Sequence, residues 1–416
     1  MRNPTSAGHH RIALIAVAAE LGIMFIGAIL PTPLYPLYRQ AFGFSGVTLT
    51  LIYATYVLGN LTALLFFGRL ADQIGRRPAS LPAVAVGIAS AVIFAAAQST
   101  GWLFVARGLS GFSTGLASGA ATAWIAELFA GRDKSRAARI ASAANFFGCA
   151  AGPLIGGLFA QFAVAPLRLG YLAYLVLLGG AAGAILLPRE TVMQPKPLRD
   201  IDLRPRIGVP PGIRLQFLSP AVTGFATFSL IGFYSALIPS LLGETLHQSA
   251  PLIAGGVVCE LFLVAAVAIL MSGKFASQTA TLAALLLLPP SVWILVGAEV
   301  AQSLALLVFA AAVGGLAGGL GYRGSLEVQP HCARRPPQRG RFQLYDRAVC
   351  RQFGPGDRHR VCLRGNDGPH RACDLRRSAN RSRRPGNADR LEIPAGPMSE
   401  RHEIPDRDSP ARHPIT

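Results

Sequence analysis

Charge is what this chain has least of. Asp, Glu, Lys and Arg make up 14% of its 416 residues, against 51% hydrophobic ones, where an ordinary soluble domain carries about 25% charged residues. An ordinary soluble domain is therefore excluded. Cysteine is sparse as well. Before residue 329 there are only Cys149 and Cys259, both inside apolar runs, where packing is a commoner role than disulfide pairing. The sequence has no phosphate-binding Walker loop, so ATP-driven chemistry has no support. It has no H-E-x-x-H pattern and no cluster of metal ligands in its apolar part, and no enzyme site emerges.

What the chain has instead is long apolar blocks. Ten of them, roughly 12–32, 47–67, 79–98, 102–125, 138–162, 168–188, 218–242, 251–271, 279–298 and 301–321, are each near the ~20 residues that cross a bilayer as a helix. The first block carries Glu20 and no convincing cleavage site, so it reads as a retained helix rather than a signal peptide. The connections sort by charge. Arg69, Arg76 and Arg77 follow the second block, Arg132, Lys134, Arg136 and Arg139 the fourth, Arg189 to Arg214 the sixth, Lys274 the eighth and Arg323 the tenth. The alternate connections hold few cations, Arg39 and Arg168 among them. Short cytoplasmic loops are rich in Arg and Lys, which puts the N-terminus in the cytoplasm of a multi-pass, all-α membrane protein.

Residues 189–215, rich in Pro and Arg, read as a linker between a six-helix half (1–188) and a second half (216–328) that holds four helices. Two faint echoes support the division: GRLADQ at 68–73 returns as GKFASQ at 273–278, and GLASG at 115–119 as GLAGG at 315–319, at offsets of 205 and 200. In the second copy Ser277 stands where the Asp was, and the Gly-Arg-Arg is missing.

The string GRLADQIGRRP, Gly68 to Pro78, sits in a short cationic connection between two spans. Its pattern, G-x-L-A-D-x-x-G-R-R, resembles the signature loop of the major facilitator superfamily, which joins the second and third helices. The resemblance covers about residues 10–328. It implies two six-helix halves, here with the second incomplete, and a bacterial-type inner-membrane secondary transporter, expected as a monomer, that works on a small molecule by alternating access. It also implies the proton gradient as the driving force, with no cofactor and no nucleic-acid partner. Gly68, Asp72, Gly75, Arg76 and Arg77 are then the gating loop, in which Asp72 engages a helix of the other half, chiefly the eleventh. A simple topology anchor is the rival role.

Arg107, within LFVARGLSGFSTGLASG, is followed by Gly111, Gly115 and Gly119 on one helix face. The string resembles the superfamily's fourth-helix motif, whose Arg is associated with proton transfer. An Arg does not itself release a proton at physiological pH, so it is expected to tune a carboxylate or organise water; an arginine snorkelling from the helix end is the alternative. Gly148, Gly152, Pro153, Gly156 and Gly157 form a string that resembles the fifth-helix antiporter motif, G-P-x-x-G-G, which implies drug:proton exchange and a glycine face packed tightly on a partner helix. Glu20 and Glu260 are the acids expected within spans, and an intramembrane carboxylate is a functional candidate by default. Glu20 is the preferred proton carrier and Glu260 the second choice; either serves instead as a structural acid if paired across helices. Glu127 and Glu299 read as interfacial, and Tyr35, Tyr38, Tyr53, Tyr56, Asn60, Asn145 and Gln161 as candidate cavity residues or ordinary packing. The expected activity is export of small, partly apolar compounds in exchange for protons. Proton-coupled uptake of a metabolite and an inactive truncated membrane protein are the alternatives.

After residue 328 the character changes. Residues 329–416 hold 19 Arg, no Lys, 10 acids, Cys332, Cys350, Cys362 and Cys373, and no apolar run able to cross a membrane. The cysteines match no zinc spacing. In GC-rich DNA, out-of-frame Ala codons become Arg or Pro codons, so this composition points to a frameshift near Glu327–Gln329. The rival is a cytoplasmic tail for nucleic acid or anionic lipid, but the tail lacks interleaved aromatics. Translation of the other frames beyond codon 328 is the check: two apolar spans are expected in one of them, and their absence from every frame overturns the frameshift.

Overall fold

The computed structural model describes residues 4–129, 134–192, 195–203, 205, 214–246, 250–274 and 276–326. The tail at 329–416, with its four cysteines, lies outside the described residues, as do Arg132 and Glu327. Among the described residues there are helices and turns and no strand. In chain order the α-helices are α1 (Pro4–Ile29), α2 (Tyr35–Phe42), α3 (Gly46–Phe67), α4 (Leu70–Ile74), α5 (Arg76–Ala95), α6 (Thr100–Leu128), α7 (Lys134–Phe162), α8 (Pro166–Ala184), α9 (Arg214–Ser240), α10 (Pro251–Met271), α11 (Ser277–Val300) and α12 (Leu304–Leu326). The ten long helices fall on the ten expected spans; α2 and α4 are short turns of helix inside connections.

The breaks have local causes. Gly43, at φ +68°, ends α2 in the left-handed conformation that glycine tolerates. Ser45 then caps α3, its hydroxyl accepting from the Thr48 amide at 3.2 Å. Pro166 and Pro251 open α8 and α10, where a missing N–H costs nothing.

Nine of the long helices among the described residues are apolar enough to cross a bilayer by length and composition. The tenth, α6, falls short because it is rich in Gly, Ser and Thr and carries Arg107. Burial explains it. Leu103, Ala106, Arg107, Ser110, Gly111 and Thr114 are among its many buried residues. A helix wrapped by other helices meets protein rather than lipid and has no need of an oily surface. α3 is the opposite case: only 11% of its most apolar stretch is buried, and its exposed side carries Leu51, Val57, Leu58, Leu61 and Leu65.

Two large cores form, beside a small third cluster in which Ala71, Ala79 and Ala120 join α4, α5 and α6. One unites α1 to α3 and α5 to α8 around Trp124, Tyr35, Tyr38, Tyr171 and Leu178. The other unites α9 to α12 around Tyr234, Leu261, Ala265 and Leu307, and takes in Phe146, Cys149 and Ala150 from α7. The two sequence echoes occupy matching places. Gly68 closes α3, and Gly273 follows α10. Gly115 of α6 lies so close to α3 that a Cβ would come 2.6 Å from the Ala63 Cβ. Gly315 of α12, its counterpart in the echo, lies against α10 in the same way, where a Cβ would run into the Leu261 carbonyl and come 3.2 Å from the Val264 Cβ.

Candidate functional site

The signature loop folds into a compact ionic network. Gly75 joins α4 to α5 at φ +111°, a conformation that side chains disfavour. A Cβ there would also come within 2.9 Å of a Glu190 carboxylate oxygen. Asp72 pairs with Arg76 at 2.7 Å. Arg76 turns its other edge to Glu127 at the end of α6, with Nη2–Oε1 at 2.5 Å and Nε–Oε2 at 3.2 Å. This two-pronged guanidinium–carboxylate pairing is the geometrically specific kind. Glu127 also accepts from the Thr191 hydroxyl.

The segment after α8 straps the loop down. Glu190 Oε1 accepts from the amides of Arg76 (2.9 Å), Thr191 (3.0 Å) and Val192 (3.1 Å), and Oε2 from Arg77 (2.9 Å). Two of these amides are orphan donors at the start of α5, where the helix dipole also favours an anion. Arg77 Nη2 donates to the carbonyls of Leu186 and Pro188 at 2.9 and 2.6 Å. Gln73 pairs with the Asp202 backbone in both directions, at 3.0 and 2.8 Å, and its own carbonyl accepts from Lys196 at 2.7 Å. Sequence reasoning missed Glu190 and Gln73. A carboxylate next to Arg189 at the mouth of the linker was the available signal, but nothing in the order of residues says that position 190 returns to position 76. The expected partner of Asp72 was a helix of the other half; the structure gives it Arg76 of its own loop.

Arg107 lies inside the bundle, 1% exposed. Nη1 donates to the Ala28 carbonyl at 2.6 Å, at the C-terminal, electronegative end of α1. The guanidinium also sits 4.5 Å from the Tyr56 ring centre and 5.4 Å from that of Tyr53. Such contacts contribute up to about 2 kcal/mol when desolvated. A snorkelling arginine would turn its head to water, and this one does not. Among the described residues no carboxylate pairs with it. Tyr35 and Tyr53, 5.0 Å apart, extend the aromatic wall.

Glu20, fully buried on α1, has both carboxylate oxygens without a hydrogen-bond partner; the buried Ser80 hydroxyl of α5 faces it without closing one. Glu260 is half-buried on α10, one residue before Leu261, which is buried in the second core. No hydrogen bond or ion pair joins Glu20, Arg107 and Glu260 among the described residues.

The glycine string of α7 serves two partners rather than one. Gly148, Gly152 and Gly156 lie against the backbone of α1 and the turn after it, at Gly22, Ile26 and Leu30. Gly157 faces α10, where a Cβ would come 2.7 Å from the Pro251 carbonyl, and Gly255 of α10 packs on the Pro153 carbonyl. Gln161, a candidate cavity residue, instead accepts from the Leu252 amide at 3.2 Å. α7 is thus held between the first half and the second.

A family model described as Major Facilitator Superfamily matches residues 13–328. Multidrug resistance protein 2 of Bacillus subtilis is 26% identical over 159 residues, 38% of this chain and 40% of that protein. The cephamycin export protein CmcT of Amycolatopsis lactamdurans is 31% identical over 150 residues, 36% of this chain and 31% of that one. The quinolone resistance protein NorA of Staphylococcus aureus is 28% identical over 139 residues, 33% and 36%. The chain therefore spans well under half the length of these relatives. Among solved structures, a bacterial homologue of the human lysosomal transporter Spinster, inward-facing and unoccupied, is similar with a TM-score of 0.53 and 16% identity, over 79% of this chain and 75% of that one. The human organic anion transporter MFSD10 is similar with a TM-score of 0.51 and 20% identity, over 78% and 89%. Likeness at these identities carries the fold.

Burial alone pushes the Glu190 carboxyl up, but the amides of Arg76, Val192, Arg77 and Thr191 outweigh it and hold the group below its ordinary value. A carboxyl depressed in the folded state contributes stability that is complete above the ordinary carboxylate range and lost as pH falls through the folded value. Glu190→Gln is expected to destabilise the purified protein by about 0.5–1 kcal/mol near neutrality, the worth of charge-assisted hydrogen bonds reduced by solvent screening at an exposed carboxylate. Melting curves across pH check this: the gap to the parent protein should close in acid, and a gap independent of pH would contradict the assignment.

Proposed function

The chain belongs to the major facilitator superfamily and is a multi-pass membrane transporter, and we propose that it exports small, partly apolar compounds in exchange for protons by alternating access. The observation that carries this reading is the α7 string, G-P-x-x-G-G, set between α1 and α10. Small residues on both sides let backbones approach and slide with little steric cost. A helix of this kind is where one half rocks against the other. Relatives whose names describe multidrug, quinolone or cephamycin resistance or export support export as the direction.

Glu20 is the proton carrier in this reading. A buried carboxylate with no cation and no closed hydrogen bond is costly as an anion, and the cost changes whenever the halves move and water reaches it. Proton binding then biases the cycle, because only a ligand with different affinity for two states shifts their balance. Glu260, half-buried on α10, is the second choice for this role. Asp72, Arg76, Glu127 and Glu190 fasten the loop between α3 and α5 on the cytoplasmic side, the side also assigned to the N-terminus. No cofactor is required: the proton gradient is the driving force, and the protein works as a monomer.

One observation favours a second reading, an inactive protein. The family match ends at residue 328, where the apolar spans end too. Proteoliposomes loaded with a fluorescent quinolone and given an imposed pH gradient separate the readings. Quinolone movement opposite to the protons, reduced by Glu20→Gln to the level of protein-free vesicles, is the expected result. Movement with the protons, or equal movement by the parent and Glu20→Gln, contradicts it. No movement by either protein supports the inactive reading.

A further inference from the structure

The first half contains a small polar cavity that the exchange scheme above does not use. It lies among α1, α5, α6 and α8, with a volume of about 10 Å³, and its walls include Met24, Gly87, Ser110, Ser113, Tyr171 and Tyr174. That is room for about one water, provided the walls supply polar partners. They do. The Tyr171 hydroxyl is fully buried and makes no hydrogen bond. Ser110 donates to the Gly27 carbonyl at 3.4 Å and Ser90, also on the wall, to the Ala106 carbonyl at 2.7 Å, which leaves their oxygen lone pairs free to accept. An unsatisfied buried hydroxyl is destabilising, and a water here removes that cost.

The cavity continues a line of unpartnered polar groups. Glu20 and Ser80, each without a hydrogen bond, lie at one end. Met24 of the cavity wall is one turn beyond Glu20 on α1, about 6 Å along the axis. At the other end, the Tyr38 hydroxyl beside Tyr171 donates to the Phe94 carbonyl at 3.2 Å, and Phe94 stacks on the Tyr171 ring. The titratable groups of the neighbouring helices along this seam are Arg107 on α6 and Tyr171 and Tyr174 on α8. No charged side chain of α5, α6, α7 or α8 forms an ion pair with Glu20 among the described residues.

We propose that this cavity is a resident-water site and the inner stage of a proton path that starts at Glu20 and runs inside the first half, apart from the seam between the halves. The water's oxygen gains a bond to the proton as the Glu20 O–H bond breaks. One of its other O–H bonds then breaks toward the Tyr171 oxygen as the Tyr171 O–H bond breaks toward the Tyr38 oxygen beside it, so the water and Tyr171 end with the hydrogens they began with, Glu20 is left a carboxylate and Tyr38 holds the transferred proton. The site rests on geometry alone; its use as a path rests on the proton coupling proposed above.

Gly87 is the lever. A Cβ there would come 3.0 Å from Ser113 Oγ and 3.3 Å from Met24 Cε, so Gly87→Ala places a methyl group in the cavity without touching Glu20. Radiolytic hydroxyl labelling of the full chain in lipid discs reads the water directly. Met24 and Tyr171, both at most 1% exposed, should be oxidised in the parent and protected in Gly87→Ala, while Tyr234, equally buried but hydrogen-bonded to Ser291 at 2.8 Å, stays unlabelled in both. Protection of Met24 and Tyr171 in the parent overturns the site. Proton release on adding quinolone to proteoliposomes reads the path. It should slow in Gly87→Ala and in Tyr171→Phe with quinolone binding unchanged. Unchanged release in both variants overturns the path. A parent that binds quinolone and releases no protons overturns the coupling reading and the path with it, while labelling still decides the water.

Discussion

A peptide group in hydrocarbon has no water to bond to, so it must be satisfied within its own segment. This constraint orders the rest of the molecule. It turns every apolar block into a helix, confines irregular backbone to the ends, and leaves polar side chains only where another helix covers them. α6 shows the last point. It is the least oily of the long helices because the helices around it stand in for lipid, and it is there that Arg107 is tolerated, held by the Ala28 carbonyl and two tyrosine faces.

Between helices the same environment removes the usual drive for association, since lipid tails are as apolar as leucine. Contact then depends on shape. The glycines of α6 against α3, of α12 against α10, and of α7 against α1 and α10 bring backbones closer than any side chain would allow. The two halves share this device at matching positions, which is the physical content of the faint internal repeat. α7 is the exception to the symmetry: it belongs to both cores. At the membrane surface the device changes to charge, with Arg76 between Asp72 and Glu127 and the Glu190 carboxylate over the start of α5.

Much of this was legible in the sequence, and the reasons are local. Span length and apolar content are properties of single segments, so all ten long helices could be located, although α1 begins at Pro4, eight residues before the apolar block that announced it. The loop at 68–78 declared itself through glycines and arginines at fixed spacing, and the break at 328 through composition; the family match ends at the same residue. What stayed hidden was pairing across the chain. Nothing in the order of residues says that Glu190 caps a helix beginning at Arg76, that Gln73 meets Asp202, or that the α7 string has two faces. Those facts depend on the angle at which helices return, which is settled by packing over the whole bundle.

The central claim is that the chain threads the membrane repeatedly, with the 68–78 loop on the cytoplasmic side. In a background freed of native cysteines, Arg69→Cys and Gln98→Cys place single thiols in the connections that precede and follow α5. A membrane-impermeant maleimide should reach position 98 in intact cells and position 69 only in inside-out vesicles. Labelling of both from the same side, or of position 69 in intact cells, would contradict the account.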